Sequence, residues 1–512
     1  VPVVATLLAG TLPAQAVPRA DLPAAGRLRV TFDPRVSVWD DVFVAGTRRP
    51  LGAFLTADSL GGAQLPQLAR LDQDLLTATG APGHLATLGA ARLTLRAERR
   101  VTPLLLELGI SDRLAVGVRV PLVRVNMRAA FTLDSTDGNL GLNPRADPGA
   151  GADAIYAAFF QSFDAALAQL AQNIVSGSYG CPGSPQCAAA QAFGDTAAAV
   201  RDALFRTALG GGGADAAPFL PTTSSAAGLA LDANLTRLQQ EFAATWAVGG
   251  FTDAFLLPTQ RAAATDFHSI LADPLPGYGA GPLIDTRRAL RFWLGDIELE
   301  TRYALARGPR YRATLGALVR LPTGHQDSPH NLIDLAAGDA QLDVEGQVTQ
   351  ELVVGSRLWL NLALRAGLQT AGERDRRVAP GGSLFAPRAA TARLAWDPGD
   401  YVALDFAPLY RFTPAFAAGV TAGFSTQGRD RYAFRAAADS LAVAGALGTP
   451  VAAGVLDAGT AVREARIGGA VTFSGPVLEG SLSVERTVSG RGGTTPAATV
   501  LRIVLRTSRR LF

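Results

Sequence analysis

From Arg27 onward the chain alternates: Leu28, Val30, Phe32, Val36 and Val38 are apolar, and Arg27, Arg29, Thr31, Asp33, Arg35 and Ser37 between them are polar. Period two over this length is the mark of a β-strand whose two faces meet different surroundings. The pattern returns with Leu93, Leu95 and Ala97 against Arg92, Thr94, Arg96 and Glu98, and runs on through Leu104, Leu106 and Leu108. After a turn at 109–112, Leu114, Val116, Val118 and Val120 oppose Ala115, Gly117 and Arg119. Beyond Pro121 the apolar phase shifts to Val123, Val125 and Met127, which predicts a bulge at the proline. Similar segments follow around 296–305, 312–321, 342–348, 358–368, 402–406, 416–424, 467–473, 478–484 and 501–505.

The connections between these segments alternate in length. Short turns fall at 109–112, 307–309, 354–356, 413–414 and 475–476, and longer connections at 41–90, 131–288, 323–337, 371–399, 436–460 and 489–495. That parity predicts an all-β fold, a transmembrane up-and-down antiparallel β-barrel of about 12 strands (range 12–14), with both ends of the chain on the short-turn side. Thr391 to Trp396 also alternates, but a separate strand there would break the parity. It is read as an upper extension of the strand that starts near Tyr401.

Composition agrees with strands rather than helices in a membrane. Hydrophobic residues are 48% of the 512, and mean hydropathy is +0.18, yet no run of about twenty apolar residues occurs. Val1 to Ala16 is short, apolar and ends in Ala14-Gln15-Ala16, as an export signal does, which puts the expected mature start near Val17 and the protein in the outer membrane of a diderm bacterium. All basic residues are arginine and the net charge is +3, with no basic run or aromatic-basic interleaving, so no nucleic-acid partner is expected. Cys181 and Cys187, in CPGSPQC, are disulfide candidates in an oxidising compartment.

Within the longest connection the period becomes helical. Ile155, Phe159, Phe163, Ala166, Leu170 and Ile174 share one helix face; Asp195 and Thr196 open a second helix that stops at Gly210 to Gly213; Leu235, Leu238, Phe242 and Trp246 mark a third. The chain is thereby divided into a signal at 1–16, barrel strands 1–3 with the first outer loop at 17–144, a helical cap or plug insertion at 145–275 between strands 3 and 4, and strands 4–12 at 276–512.

If the apolar rows face lipid, the polar rows line the lumen. The lumen-lining candidates are Arg96, Arg119, Asp296, Glu298, Glu300, Arg312, Arg320, Asp343, Glu345, Arg365, Asp405, Glu479 and Glu485. Simple hairpin registers set Asp296 opposite Arg320 and Glu345 opposite Arg365, as wall-stabilising ion pairs. The four histidines, His84, His268, His325 and His330, fall in connections. His325 and His330 share one with Asp327 and Asp334, a set that a metal site or an omptin-like His/Asp pair could use, but the spacing is unspecific and ordinary polar loop residues are the expectation. No catalytic residue, metal or cofactor is expected, and the chain is not read as an enzyme.

The segments LELGISDRLAVGVRVPLV (Leu106 to Val123), GDIELETRYAL (Gly295 to Leu305) and LVRLPTG (Leu318 to Gly324) resemble the outer-membrane barrels grouped under the putative meta-pathway of phenol degradation, which are FadL-like hydrophobic-compound channels. The resemblance implies passage of small hydrophobic or aromatic solutes and assigns no residue a role. The contrasting expectation is a surface-interaction or structural outer-membrane barrel whose helical insertion is the working part. Expected partners are outer-membrane lipid and lipopolysaccharide, small-molecule solutes and the barrel-assembly machinery, for which Phe512 supplies a terminal aromatic.

Overall fold

The computed structural model describes residues 17–210, 216–272, 286–287, 292–331, 336–381, 385–493 and 495–511; the expected export signal at 1–16 and Phe512 lie outside them. The wall is a closed antiparallel barrel of twelve strands. They are β1 (Arg27–Phe32 and Arg35–Trp39), β2 (Ala90–Gly109), β3 (Leu114–Asp134), β4 (Thr286–Arg287, Phe292–Leu294 and Glu298–Arg307), β5 (Tyr311–Arg320), β6 (Asp343–Val354) and β7 (Leu358–Gln369). The ring continues with β8 (Tyr401–Arg411), β9 (Phe416–Gln427), β10 (Val462–Ser474), β11 (Leu478–Arg491) and β12 (Thr499–Arg510). Each strand pairs with its sequence neighbours, and β1 closes the ring by pairing with both β2 and β12.

The apolar rows point outward. Leu299, Leu315, Val344, Leu364, Leu404 and Leu482 are all exposed, and Tyr303, Tyr311, Tyr410, Phe412, Phe416 and Phe473 form an aromatic girdle at the short-turn end. A belt of this kind is a lipid-facing surface. The ten-residue pieces Glu298–Arg307 and Tyr311–Arg320 have the length a tilted strand needs to cross the hydrocarbon core.

Two strands run well past that belt, and there the pattern inverts. In β2, Leu104 faces out, whereas Leu93, Leu95 and Ala97 are buried inside. In β3, Leu122 is exposed, but Val123, Met127, Ala129 and Phe131 are buried. The predicted bulge at Pro121 is thus not in β3, which continues through the proline with odd residues inward throughout. Beyond the belt the outer face meets water and the inner face is covered, so the apolar residues change sides while the backbone does not. The extra residue belongs to the partner strand, where Gly295, Asp296 and Ile297 of β4 face Val120 and Pro121 of β3.

Thr391–Asp397 sits in a three-stranded sheet with Gly372–Arg377 and Arg431–Phe434. Its registers continue those of β8 with β7 and β9 without a slip. It is the upper extension expected, interrupted at Pro398-Gly399. Val378, Ala390, Leu394, Val443 and Leu456 bury a small core around it, together with the helix Ala437–Leu447.

The chain divides into two compact units: the barrel (1–54, 94–130 and 285–512) and a helical unit (55–93 and 131–284). Taken by itself, the helical unit holds α1 (Pro66–Thr79), α2 (Ala152–Val175), α3 (Pro185–Leu209), α4 (Ala226–Ala244) and α5 (Ala264–Ala272). Phe159, Phe163, Phe242 and Phe251 meet edge-on or stacked at its centre. α3 begins ten residues before the expected Asp195-Thr196 start, capped by the Ser184 hydroxyl, which accepts from the Cys187 N–H at 2.9 Å. Its first turns are alanine-rich and carry little apolar contrast. A Cβ at Gly194 would lie 3.4 Å from Leu170, so the glycine marks close approach of α2 and α3. α1 was missed in the 41–90 connection, although Leu68, Leu71, Leu75 and Ala78 line its buried face.

Cys181 and Cys187 form a disulfide. Replacing both by serine is expected to lower the stability of the helical unit by about 2 kcal/mol, the loop-closure entropy of so short a ring. Thermal unfolding followed at Trp246 should shift while barrel migration does not. The barrel itself, closed and self-bonded, should migrate differently in unboiled and boiled SDS samples; identical migration of detergent-folded protein would count against closure.

Candidate functional site

The inward rows hold charges of both signs, and packing brings them into networks. On one wall Arg119 donates to Glu298 at 2.8 Å and to Glu300 at 3.3 Å, and Arg320 bridges Glu298 at 3.2 Å and Asp343 at 2.8 Å. Arg502 grips both oxygens of Asp33 at 2.6 and 2.7 Å. Across the barrel Asp405 accepts from Arg365 and from Arg466, both at 3.0 Å, and Arg466 also donates to Glu464 at 2.6 Å. Glu485 stands 3.9 Å from Arg466, and Glu345 accepts from the Tyr401 hydroxyl. Charges taken out of water need such partners, and Glu298, Arg320, Asp405 and Arg466 each have more than one.

The two anticipated pairings are displaced. Glu298, not Asp296, lies opposite Arg320, because the turn sets Arg307 opposite Arg312 and the shift between Ala304 and Ala306 moves the register by only one residue. Arg365 lies opposite Gln347 and takes Asp405 on the other neighbour, leaving Glu345 to Tyr401. Arg312 and Glu479 stand at the short-turn rim, 3.7 Å from Glu351 and 3.7 Å from Arg19 respectively. Arg96 does not line the lumen: it is exposed on the outer face, in the part of β2 where the pattern inverts.

The sequence reading missed what occupies the lumen. The chain before β1 folds back inside the barrel at its short-turn end. Arg19 donates from Nε to Glu351 at 3.1 Å and to Asp21 at 3.2 Å, and its guanidinium lies 5.0 Å over the Trp359 ring. The Ala20 N–H donates to Glu351 at 2.7 Å, Arg29 holds Asp21 at 2.6 Å, and Arg302 donates to the Arg19 carbonyl at 2.7 Å. Val17 packs against the cluster of Trp359, Ala407, Leu409, Ala417 and Ala470. Beside the segment remains a cavity of ≈ 70 Å³, lined among others by Glu107, Arg119, Glu300, Leu318, Gln347 and Val504, with room for roughly five waters. The arginine and aspartate of PRAD, just after the expected mature start, were the available signal.

Asp296 anchors a connection instead of pairing with an arginine. Its carboxylate accepts the Gly324 N–H at 2.7 Å and the Asp339 N–H at 3.0 Å, fastening both arms of the β5–β6 connection. A Cβ on Gly338 would fall 2.2 Å from Asp296 Oδ2, so that position admits only glycine. The histidines in this connection are also engaged. His325 stacks on Trp293 at 4.4 Å, and His330 Nδ1 lies 3.0 Å from Arg377. Burial, with the Arg377 and Arg388 charges, pushes His330 below its ordinary value. Asp327 meets Arg374 at 2.5 Å and Arg376 at 3.1 Å, which commits the carboxylate to two buried guanidinium groups. Asp334 lies outside the described residues, and His268 sits on α5. His84 falls in the connection after α1.

No family model matches the sequence, and no curated protein matches it. Solved structures do. A COG4313 outer membrane channel from Pseudomonas putida F1 is 8% identical, covering 98% of this chain and 100% of that one, with a TM-score of 0.42. The Pseudomonas putida toluene transporter TodX is 8% identical over 96% and 90%, with a TM-score of 0.27. A Pseudomonas aeruginosa FadL homologue is 9% identical over 95% and 91%, with a TM-score of 0.28.

Asp327 offers a test of the outer sheet. Burial alone would raise its pKa, but Arg374 and Arg376 outweigh it and hold the carboxyl below the usual range. A depressed folded pKa means the contribution is complete above the unfolded value of about 3.9, and is lost as pH falls through the lower folded value. Asp327→Asn leaves two buried arginines without their acid and is expected to cost about 3 kcal/mol locally. Hydrogen exchange over 372–377 and 391–397 should rise in the variant at neutral pH, and in the wild type only well below pH 4.

Proposed function

We propose that this protein is an outer-membrane channel for small hydrophobic or aromatic solutes, held shut by its own amino-terminal segment. The observation that carries the channel reading is the segment Val17 to Asp21 inside a closed wall. A barrel that served only as a scaffold could fill its lumen with wall side chains, as small barrels do. Here the filling includes a separate stretch of chain, fastened by Glu351, Arg29 and Arg302 through contacts that water can replace. Displacing it would join the ≈ 70 Å³ cavity to the short-turn end.

The preference for hydrophobic or aromatic solutes rests on the sequence resemblance, and the lumen adds Val17, Leu105, Leu318 and Val504 among its charges. The export signal, an outer-membrane address and the absence of catalysis belong to the same reading.

Purified protein in planar bilayers and liposomes tests it. Deleting residues 17–24 should leave a heat-modifiable barrel whose conductance is several-fold higher, with faster uptake of a small aromatic solute than of a sugar of similar size. If the folded deletion variant passes neither ions nor solute, the channel reading fails and the helical unit becomes the working part. Equal uptake of sugar and aromatic would retain the channel and remove the solute class.

A further inference from the structure

The outer face of β2 and β3 carries an unusual arrangement just where the lipid-facing belt ends. In the hairpin that joins them, the Ile110 N–H donates to the Leu114 carbonyl. That contact makes the two residues opposite partners, and the register continues with Thr132 reaching the Arg92 carbonyl. Arg100 then stands opposite Arg124, and Arg96 opposite Arg128. The inward residues of the same stretch, Leu95, Ala97, Val123, Met127 and Ala129, are buried, so all four arginines share the outer face. On the next strand Arg124 pairs with Phe292, and the backbone partner of Arg128 is another arginine, Arg287.

Two rows of directly opposed like charges are destabilising by themselves. Among the described residues on this face between positions 96 and 100 and between 124 and 128, the acid is Glu98, which pairs with Arg100; Asn126 is opposite it. Four guanidinium groups therefore face one carboxylate. Arg124 lies 5.5 Å over the Phe292 ring, and its Nε is covered without a hydrogen-bond partner. Toward the membrane from this row, the same three strands present Leu104, Leu122 and Leu294, all exposed, and Phe292 stands on the same face in the row of Arg124.

Apolar side chains, then a row in which Phe292 stands with Arg124 and Arg100, then Arg96 and Arg128, follow the order of chemistry in an outer leaflet made of a phosphorylated glycolipid: acyl chains, then phosphate. Guanidinium groups in adjacent rows suit multidentate binding of phosphate oxygens. We propose that Arg96, Arg100, Arg124 and Arg128 form a binding site for the phosphate groups of an outer-leaflet glycolipid of the lipid A type, whose acyl chains lie on Leu104, Leu122 and Leu294. The site is independent of the lumen and of whatever the barrel conducts; it rests only on the barrel lying in a membrane.

The test uses the full chain in detergent, with bisphosphorylated lipid A as probe, read by native mass spectrometry and by the temperature at which SDS migration changes. Bisphosphorylated lipid A should remain bound and raise that temperature. Dephosphorylated lipid A and inorganic phosphate should not. Replacing the four arginines by glutamine (Arg96→Gln, Arg100→Gln, Arg124→Gln and Arg128→Gln) should weaken retention at least about tenfold, the equivalent of one charge-assisted hydrogen bond, with migration still heat-modifiable. Arg→Lys at the same four positions should keep a substantial part of the binding, and Arg113→Gln with Arg310→Gln at the opposite rim should keep all of it. Equal retention by the wild type and the glutamine variant would overturn the site. So would equal stabilisation by inorganic phosphate, which would make it an adventitious anion contact, or by dephosphorylated lipid A. If the four-fold glutamine variant does not fold, the pair Arg96→Gln with Arg128→Gln gives the same comparison.

Discussion

Closure of the wall is the constraint from which the other features follow. Arg27–Phe32 pairs on one side with Leu104–Leu108 and on the other with Leu505–Arg510, so a chain of alternating strands has no free edge. In hydrocarbon an unpaired backbone N–H or carbonyl has no water to turn to. Once the ring is closed, each strand has one face toward lipid and one toward a narrow interior. The interior face is where the chain can place polar groups, and it places many. The cost of burying them is offset by shared pairing, as Asp405 between Arg365 and Arg466 and Glu298 between Arg119 and Arg320 illustrate.

Strand number and order were legible in the sequence because both depend on signals that lipid enforces. Apolar residues must alternate where a strand crosses the membrane, and turns on one side are short while those on the other are long. The inversion of phase in β2 and β3 was legible as well, since Ala97 to Leu104 and Val120 to Val123 change parity. It invited a covalent explanation, a bulge at Pro121, when the cause was a change of solvent. Arg96 shares the parity of the outward Leu104, so its lumenal placement followed the local apolar row Leu93, Leu95 and Ala97 and not the phase of the whole strand.

Lumenal partners were less legible. The turn that sets Arg307 opposite Arg312 and the one-residue shift between Ala304 and Ala306 together decide every cross-strand pair above them, and no local signal fixes either. The alternation sets which face a residue takes and not which partner it finds, so the sharing of Glu298 by Arg119 and Arg320 and of Asp405 by Arg365 and Arg466 comes only from the fold. The α3 start and α1 were lost to a different cause. Alanine-rich turns bury small side chains without producing a strong apolar stripe, so close helix packing and an unstructured connection look alike in one sequence.

The amino-terminal segment shows what a closed polar lumen requires of anything that fills it. An apolar plug would strand the wall's charges without water or partners, which is the most expensive state for a buried ion. Arg19 and Asp21 avoid this by joining the existing network: Asp21 takes Arg29, Arg19 takes Glu351, and the Arg19 carbonyl takes Arg302. Withdrawal of the segment would expose those same groups to water entering behind it, so each lost contact has a replacement. Apolar packing holds it at one point, where Val17 meets the Trp359 cluster. The segment is thus joined to the wall mainly through ion pairs and hydrogen bonds, whereas the wall is held by strand pairing that has no substitute in lipid.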